Sequence, residues 1–299
     1  MGAVSTSGST QAPSTPPELL RECWADCSER GKLAVSGPQR AWFLHQVLTQ
    51  AFEDIAPGEA RDTAMITSHG RMTGYLETIA TDDAIMCHFE PELRTSLPET
   101  LARYVFATRV EILDVTDDWG LVLTVGDRAL QTARRECPGA LAHPTRSFGP
   151  SAFYLWTPPA EIDALLGALR GAGVAEGSDV ELEALRITRG TPRWGRDMGP
   201  KTIPQEAGIE ERAVHFDKGC YLGQEAMAKI HFRGKVNRKL FRLKSAGALR
   251  PGAEVMSVEG KVGTVTSAVG GRAFALLRYN VEPGSEVHVE GVPASVTLV

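Results

Sequence analysis

The chain has 299 residues, with 32 Lys and Arg against 37 Asp and Glu, a formal charge of −5 and a hydrophobic fraction of 42%. Those proportions exclude general disorder, and no apolar run approaches the roughly 20 residues of a membrane-spanning helix. The acidic balance excludes non-specific DNA binding by the whole surface, and the length suits two or three domains.

Residues 1–17 carry no charge and are mostly Ser, Thr, Gly, Pro and Ala. They lack the basic start and apolar stretch of a signal peptide and are expected to be a disordered tail. The spacing of Leu44, Val47, Leu48, Ala51 and Phe52 predicts a helix over 38–52, with Pro38 in its first turn. Strands at 75–80 and 84–89 flank Thr81-Asp82-Asp83 as a hairpin. Ser96 and Glu99 suggest a capping box opening a helix through Ala107, with Leu97, Leu101, Tyr104 and Val105 inward. Glu90 and Glu92 read as exposed residues leading into it. Strands at 109–115 and 120–125 are joined by a turn at Asp117-Asp118, and a helix over 161–170 buries Ile162, Leu165, Leu166 and Leu169. Mixed strands and helices without a βαβ rhythm point to an α+β fold. Six short strands after residue 236, separated mostly by Gly and Pro, suggest a small closed barrel. The expected division is thus a tail (1–17), a bipartite α+β region (18–235) and a barrel (236–299).

Five cysteines (Cys23, Cys27, Cys87, Cys137 and Cys220) form no C-x-x-C pair, although Cys23 and Cys27 could share a helix face. Scattered thiols without a secretion signal point to a reducing cytoplasmic setting. Seven His residues show no H-x-x-x-H or H-E-x-x-H spacing, so no preformed metal site is expected.

The stretch Lys218-Gly-Cys-Tyr-Leu-Gly-Gln-Glu225 stands apart. Gly219 and Gly223 permit a tight backbone path, and Gln224 can open a helix. A Cys220 thiol near a helix N-terminus and beside Lys218 is favoured as thiolate. The other reading of the same residues is a tight turn whose cysteine packs inward. His215 either pairs with Cys220 or makes a local hydrogen bond.

This octapeptide resembles the K-G-C-[FY]-x-G-Q-E signature of the YgfZ family of folate-binding proteins, which includes a mitochondrial iron–sulfur assembly factor and is related to the glycine-cleavage T-protein (aminomethyltransferase). Leu185–Pro192, Ile203–Ala207 and Gly234–Arg238 resemble further parts of that family. The resemblance implies a T-protein-like α+β ring around a channel for tetrahydrofolate, and a monomer that helps assemble or repair iron–sulfur proteins, with an effect on tRNA modification. It implies Cys220 as a reactive or cluster-transfer thiol with Lys218 as its electrostatic neighbour. Gly219, Tyr221 and Gly223 shape the loop, Gln224 and Glu225 fix it by hydrogen bonds, and Asp197, Glu206 and Arg189 serve the folate. The activated sulfur is expected at the mouth of the pterin cavity.

Two departures bear on activity. Thr188 stands where the T-protein has a Glu, and 87–92 has no Asp to serve as its acid for one-carbon transfer. Glu90 or Glu92 would have to substitute. A folate-dependent transferase is therefore the second hypothesis. The third is a scaffold docking an acidic partner through the run from Ala226 to Ala253, which has no acidic residue and eight basic ones. Tetrahydrofolate recognition, iron–sulfur partners and no direct nucleic-acid binding make up the preferred reading.

Overall fold

The computed structural model describes residues 20–234 and 236–299, so the expected tail lies outside the described residues. Strands β1 (Cys23–Asp26) and β2 (Gly31–Ser36) come first, followed by helix α1 (Arg40–Val47). Next are β3 (Ala60–Ile66), β4 (Met72–Ala80), β5 (Ala84–Phe89), α2 (Ser96–Ala102) and β6 (Glu111–Asp114). Then follow β7 (Gly120–Val125), α3 (Asp127–Glu136), β8 (Leu141–Pro144) and β9 (Ala152–Thr157). After α4 (Pro159–Gly171), β10 (Ala175–Glu176) and α5 (Asp179–Arg189), two single turns, α6 (Pro204–Ala207) and α7 (Glu210–Ala213), lead to α8 (Gln224–Arg233).

One five-stranded sheet has the order β3-β4-β5-β2-β6 and a second the order β10-β1-β7-β9-β8. The hairpin of β4 and β5 forms as the alternation predicts. The turn at Asp117-Asp118 instead carries the chain between sheets: β6 pairs with β2, while β7 pairs with β1 and β9. Every residue of β7 is buried, because both faces of this central strand are covered. Leu121 and Leu123 face the other sheet, and Val122 packs under α3 and α4 with Leu155 and Leu165. Cys23 is likewise on a strand, so it and Cys27 share no helix face.

Helix α1 stops at Val47, short of the predicted 52. Leu48 adopts extended backbone and bridges Met65, yet the predicted stripe, including Leu44, Leu48 and Phe52, stays in the core. Helix α2 ends at Ala102, before Tyr104, which is exposed, and its N-terminus carries no side-chain cap.

Strands β11 (Arg238–Ser245), β12 (Glu254–Ser257), β13 (Gly260–Val269), β14 (Arg272–Arg278), β15 (Glu286–Val289) and β16 (Val292–Leu298) close into a barrel. Phe241, Leu243, Val255 and Leu277 fill its interior, and closure leaves no free edge. Ala184 and Ile187 of α5 pack on Leu240, Val269 and Phe274 of the barrel wall. Among the described residues no helix is long and apolar enough to cross a membrane.

Candidate functional site

Strand pleat decides what meets between the two sheets. Ile79 of β4 and Met86 of β5 join Tyr154 and Trp156 of β9 in an apolar layer. Two residues along on the same faces come Glu77 and His88, and there the layer turns polar. Arg30, from the β1–β2 turn, reaches in: its Nε donates to His88 Nδ1 at 3.0 Å and its Nη1 donates to Glu90 Oε1. Its guanidinium lies 5.4 Å from the Tyr154 ring centre. Arg193 Nε donates to the other Glu90 oxygen at 2.8 Å. Thr145 Oγ1 donates to Glu77 Oε2 at 2.6 Å, whereas Glu77 Oε1 is 3.8 Å from Arg30 and accepts no hydrogen bond among the described residues.

These groups border a cavity of about 560 Å³, lined among others by Arg30, Glu77, Glu90, Tyr154 and Arg193. Burial, aided by the charge of Asp62, pushes Glu77 up to about 7 against the opposing pull of Arg30 and the Thr145 hydrogen bond. Burial also acts to raise Glu90, but Arg30 and Arg193 outweigh it and hold that carboxyl below the usual range. The two acids therefore differ: Glu90 is a fixed anion and Glu77 exchanges its proton near neutrality. Burial drives His88 well down and His143 to about 3, so both imidazoles are neutral.

Glu90 is only 7% exposed, contrary to the sequence expectation, because Arg30 and Arg193 draw it inward. Glu77 was missed altogether. Its one signal was a lone acid at an otherwise apolar end of a strand, Tyr-Leu-Glu-Thr-Ile-Ala, where a buried carboxylate needs a partner.

The expected folate residues Asp197, Glu206 and Arg189 do not line this cavity. Asp197 is 2% exposed, and its oxygens accept from Arg186, the Arg193 backbone, Thr266 and Ser267. It joins α5 to the barrel. Glu206 lies between Arg71 and Arg238 at the approach to β11. Arg189, exposed at the end of α5, borders a different cavity.

Cys220 is exposed, but neither cavity is lined by any residue of 218–225. The thiol and these two cavities are separate places. Lys218 also serves elsewhere. It is buried, and its Nζ donates to the carbonyls of His45, Leu48 and Gln50 at 2.5, 2.5 and 2.8 Å. Those acceptors sit at the end of α1 and use all three ammonium protons, so no proton is left to hydrogen-bond the exposed thiol. Burial pushes Lys218 down to about 7 against the opposing charge of Glu53. Tyr221 packs in the first core with its ring centre 4.4 Å from the Lys218 nitrogen.

Gly223 has φ +81°, and a Cβ there would meet Thr67 O at 2.5 Å; Gly219 faces open space. Gln224 and Glu225 open α8 without side-chain hydrogen bonds among the described residues, so the loop is fixed by Lys218 and Tyr221 instead. His215 is exposed on the rim of the second cavity and makes no side-chain bond to Cys220 among the described residues. The basic run is divided: Arg238 pairs with Glu206, Arg250 with Glu290, and Arg242 donates to Leu298 O and Thr188 O.

Comparison with known proteins fits this architecture. Residues 237–299 match the family described as CAF17, C-terminal beta-barrel domain. A putative chloroplastic transferase of Arabidopsis thaliana is 28% identical over 83% of this chain, which spans 62% of that protein's length. The tRNA-modifying protein YgfZ of Enterobacter sp. is 28% identical over 79% of this chain and 77% of its own. The human mitochondrial iron-sulfur cluster assembly factor IBA57 is 33% identical over 31% of this chain and 28% of its own. The chain is thus similar to YgfZ over most of its length, and to CAF17 and IBA57 over parts of it. Among solved structures, the glycine cleavage system aminomethyltransferase T from Bartonella henselae superposes with a TM-score of 0.82 at 20% identity, covering 94% of this chain and 86% of that one. This chain therefore has the T-protein fold.

Proposed function

We propose that this protein binds a reduced folate in the inter-sheet cavity and serves iron–sulfur protein assembly as a folate-dependent accessory. The observation that carries the reading is one oxygen of the buried Glu77 carboxylate, Oε1, which accepts no hydrogen bond among the described residues and belongs to the wall of a 560 Å³ cavity. That volume falls in the range of about 300–1,000 Å³ typical of small-molecule pockets. A pterin presents an amino group and a ring N–H side by side, and carboxylates are their natural acceptors. Glu90 already accepts two guanidinium hydrogen bonds and has lone pairs to spare; Glu77 has a whole oxygen. Tyr154 and Phe148 supply aromatic faces on the same wall. A bound reduced folate contributes a carrier for one-carbon units. The iron–sulfur part of the reading rests on the relatives named YgfZ and IBA57. Cys220, exposed and outside the cavity, is then a thiol offered to a partner protein.

Titration calorimetry with 5-formyltetrahydrofolate tests the pocket. Glu90→Gln and Glu77→Gln are each expected to weaken binding at pH 8 by about tenfold or more, the loss of roughly one charge-assisted hydrogen bond. Unchanged binding in both variants would sink the assignment of ligand to cavity.

One observation favours the transferase reading: Glu77, with its proton labile near neutrality, is the kind of acid or base that 87–92 lacks. Formation of 5,10-methylenetetrahydrofolate from an aminomethyl donor, abolished by Glu77→Gln, would establish it.

A further inference from the structure

A second cavity, of about 860 Å³, shares no lining residue with the first. The two meet at a wall made by β4: Tyr75 and Glu77 face the first, and their hydrogen-bond partners Asp62 and Thr145 face the second. Their charges are opposite in kind. The first is bordered by seven carboxylates (Asp26, Glu29, Glu77, Glu90, Glu176, Asp179, Glu183) against three Arg. The second has four Arg (Arg61, Arg146, Arg189, Arg212) against Asp54, Asp62 and Glu211, with His215 beside them.

The acids that are paired there are paired locally. Asp54 holds Arg61 at 2.7 Å, and Asp62 accepts from Tyr75 and contacts Arg212 Nε at 3.5 Å. Arg146 and Arg189 have no ion pair among the described residues, and Arg212 keeps a buried Nη2 without a hydrogen-bond partner. Arg189 lies over the β8–β9 loop, where a Cβ on Gly149 would come within 3.3 Å of its Nε and Nη2. The loop that carries Arg146 and the helix end that carries Arg189 thus close on one space.

We propose that this second cavity is a binding site for an organic anion bearing two or more carboxylates, with Arg146 and Arg189 as its main ligands and the Arg212 Nη2 donor at its floor. The four guanidinium groups come from four elements, β3, the β8–β9 loop, α5 and α7. That spread suits charges distributed along a molecule better than one dense phosphate. Helix α5 enters by its C-terminal end, which offers none of the free backbone N–H donors on which phosphate sites rely, so recognition there falls to the guanidinium groups. The proposal stands independently of folate binding in the first cavity.

The test is calorimetric titration of the full chain with citrate, glutarate and tri-γ-glutamate, and separately with inorganic phosphate, at low and moderate salt. At least one polycarboxylate is expected to bind with affinity that falls as salt rises. The Arg146→Ala/Arg189→Ala double variant should weaken it by about tenfold or more while 5-formyltetrahydrofolate binding is unaltered. Both side chains are exposed, so the variant folds, and an unchanged thermal midpoint checks this. No binding by any of the three carboxylates, or binding that the double variant leaves intact, overturns the site. Phosphate binding as tightly as the best carboxylate overturns the assigned chemistry. Loss of folate binding in the double variant overturns the separation of the two cavities.

Discussion

Two buried carboxyl groups a few ångströms from the same guanidinium end up with different protonation because their partners differ. Glu90 has two Arg donors, whereas Glu77 has a Thr hydroxyl and, behind it, the charge of Asp62. A raised folded-state value means that the folded protein keeps a proton the unfolded chain releases between about pH 4.5 and about 7, so Glu77 lowers stability as pH rises through that window. Glu77→Gln removes the penalty. Urea unfolding should find the variant more stable than the parent by about 1–3 kcal/mol at pH 8, with the difference shrinking towards pH 4.5. A difference independent of pH would mean that Glu77 does not hold the proton. The thiols separate on exposure alone: burial pushes Cys23 up to about 11 and Cys27 and Cys87 up to about 12, whereas Cys220 is open to solvent. One equivalent of iodoacetamide at pH 7.5 should therefore label Cys220 first, as peptide mass spectrometry can read; equal labelling of the five would contradict the burial of Cys23, Cys87 and Cys137.

The 218–225 segment acts as a clamp between elements. Lys218 ties it to the end of α1, Tyr221 anchors it in the core, and Gly223 brings it against the Thr67 carbonyl. Its two glycines are unequal. Gly223→Ala would combine a left-handed backbone with a 2.5 Å clash against main chain, a cost of about 2–4 kcal/mol. Gly219→Ala meets nothing and should change stability by less than about 1 kcal/mol. Thermal unfolding of the two single variants measures the contrast, and similar effects would show that the segment is not clamped at Gly223. The same clamp explains why α1 stops early: the carbonyls beyond Val47 find Lys218 rather than another helical turn. No local periodicity carries that information, since the donor lies 170 residues away in sequence.

Across the molecule, the barrel is held to the rest by a buried polar joint as well as by the apolar contact of α5. Arg186 donates to Asp197, Glu183 and Ser267, and Asp197 accepts from Thr266 and Ser267. Breaking one partner strands the others without water. Asp197→Ala should cost about 3–5 kcal/mol in urea unfolding and expose the 190–237 connection to limited proteolysis. If the cavity holds a folate as proposed, the affinity of the protein that remains folded should stay unchanged, because Asp197 is not on the cavity wall. Folate binding lost with stability intact would return Asp197 to the pterin site that its motif suggested.

Much of the architecture was legible in the residues. The α+β mixture, the β4–β5 hairpin, the 161–170 helix and the six barrel strands follow from local alternation, three-and-four spacing and Gly and Pro punctuation, all of which act within a few residues. The octapeptide pointed to YgfZ-like relatives because composition and order alone carry that resemblance. Which sheet each strand joined, the end of α1 and the surroundings of each acid were settled by neighbours distant in the chain. A carboxylate's hydrogen bonds, burial and charge are properties of the assembled surroundings, so Asp197 became a joint, Glu77 a cavity wall and Lys218 a helix cap only when the sheets, the barrel and the clamp came together.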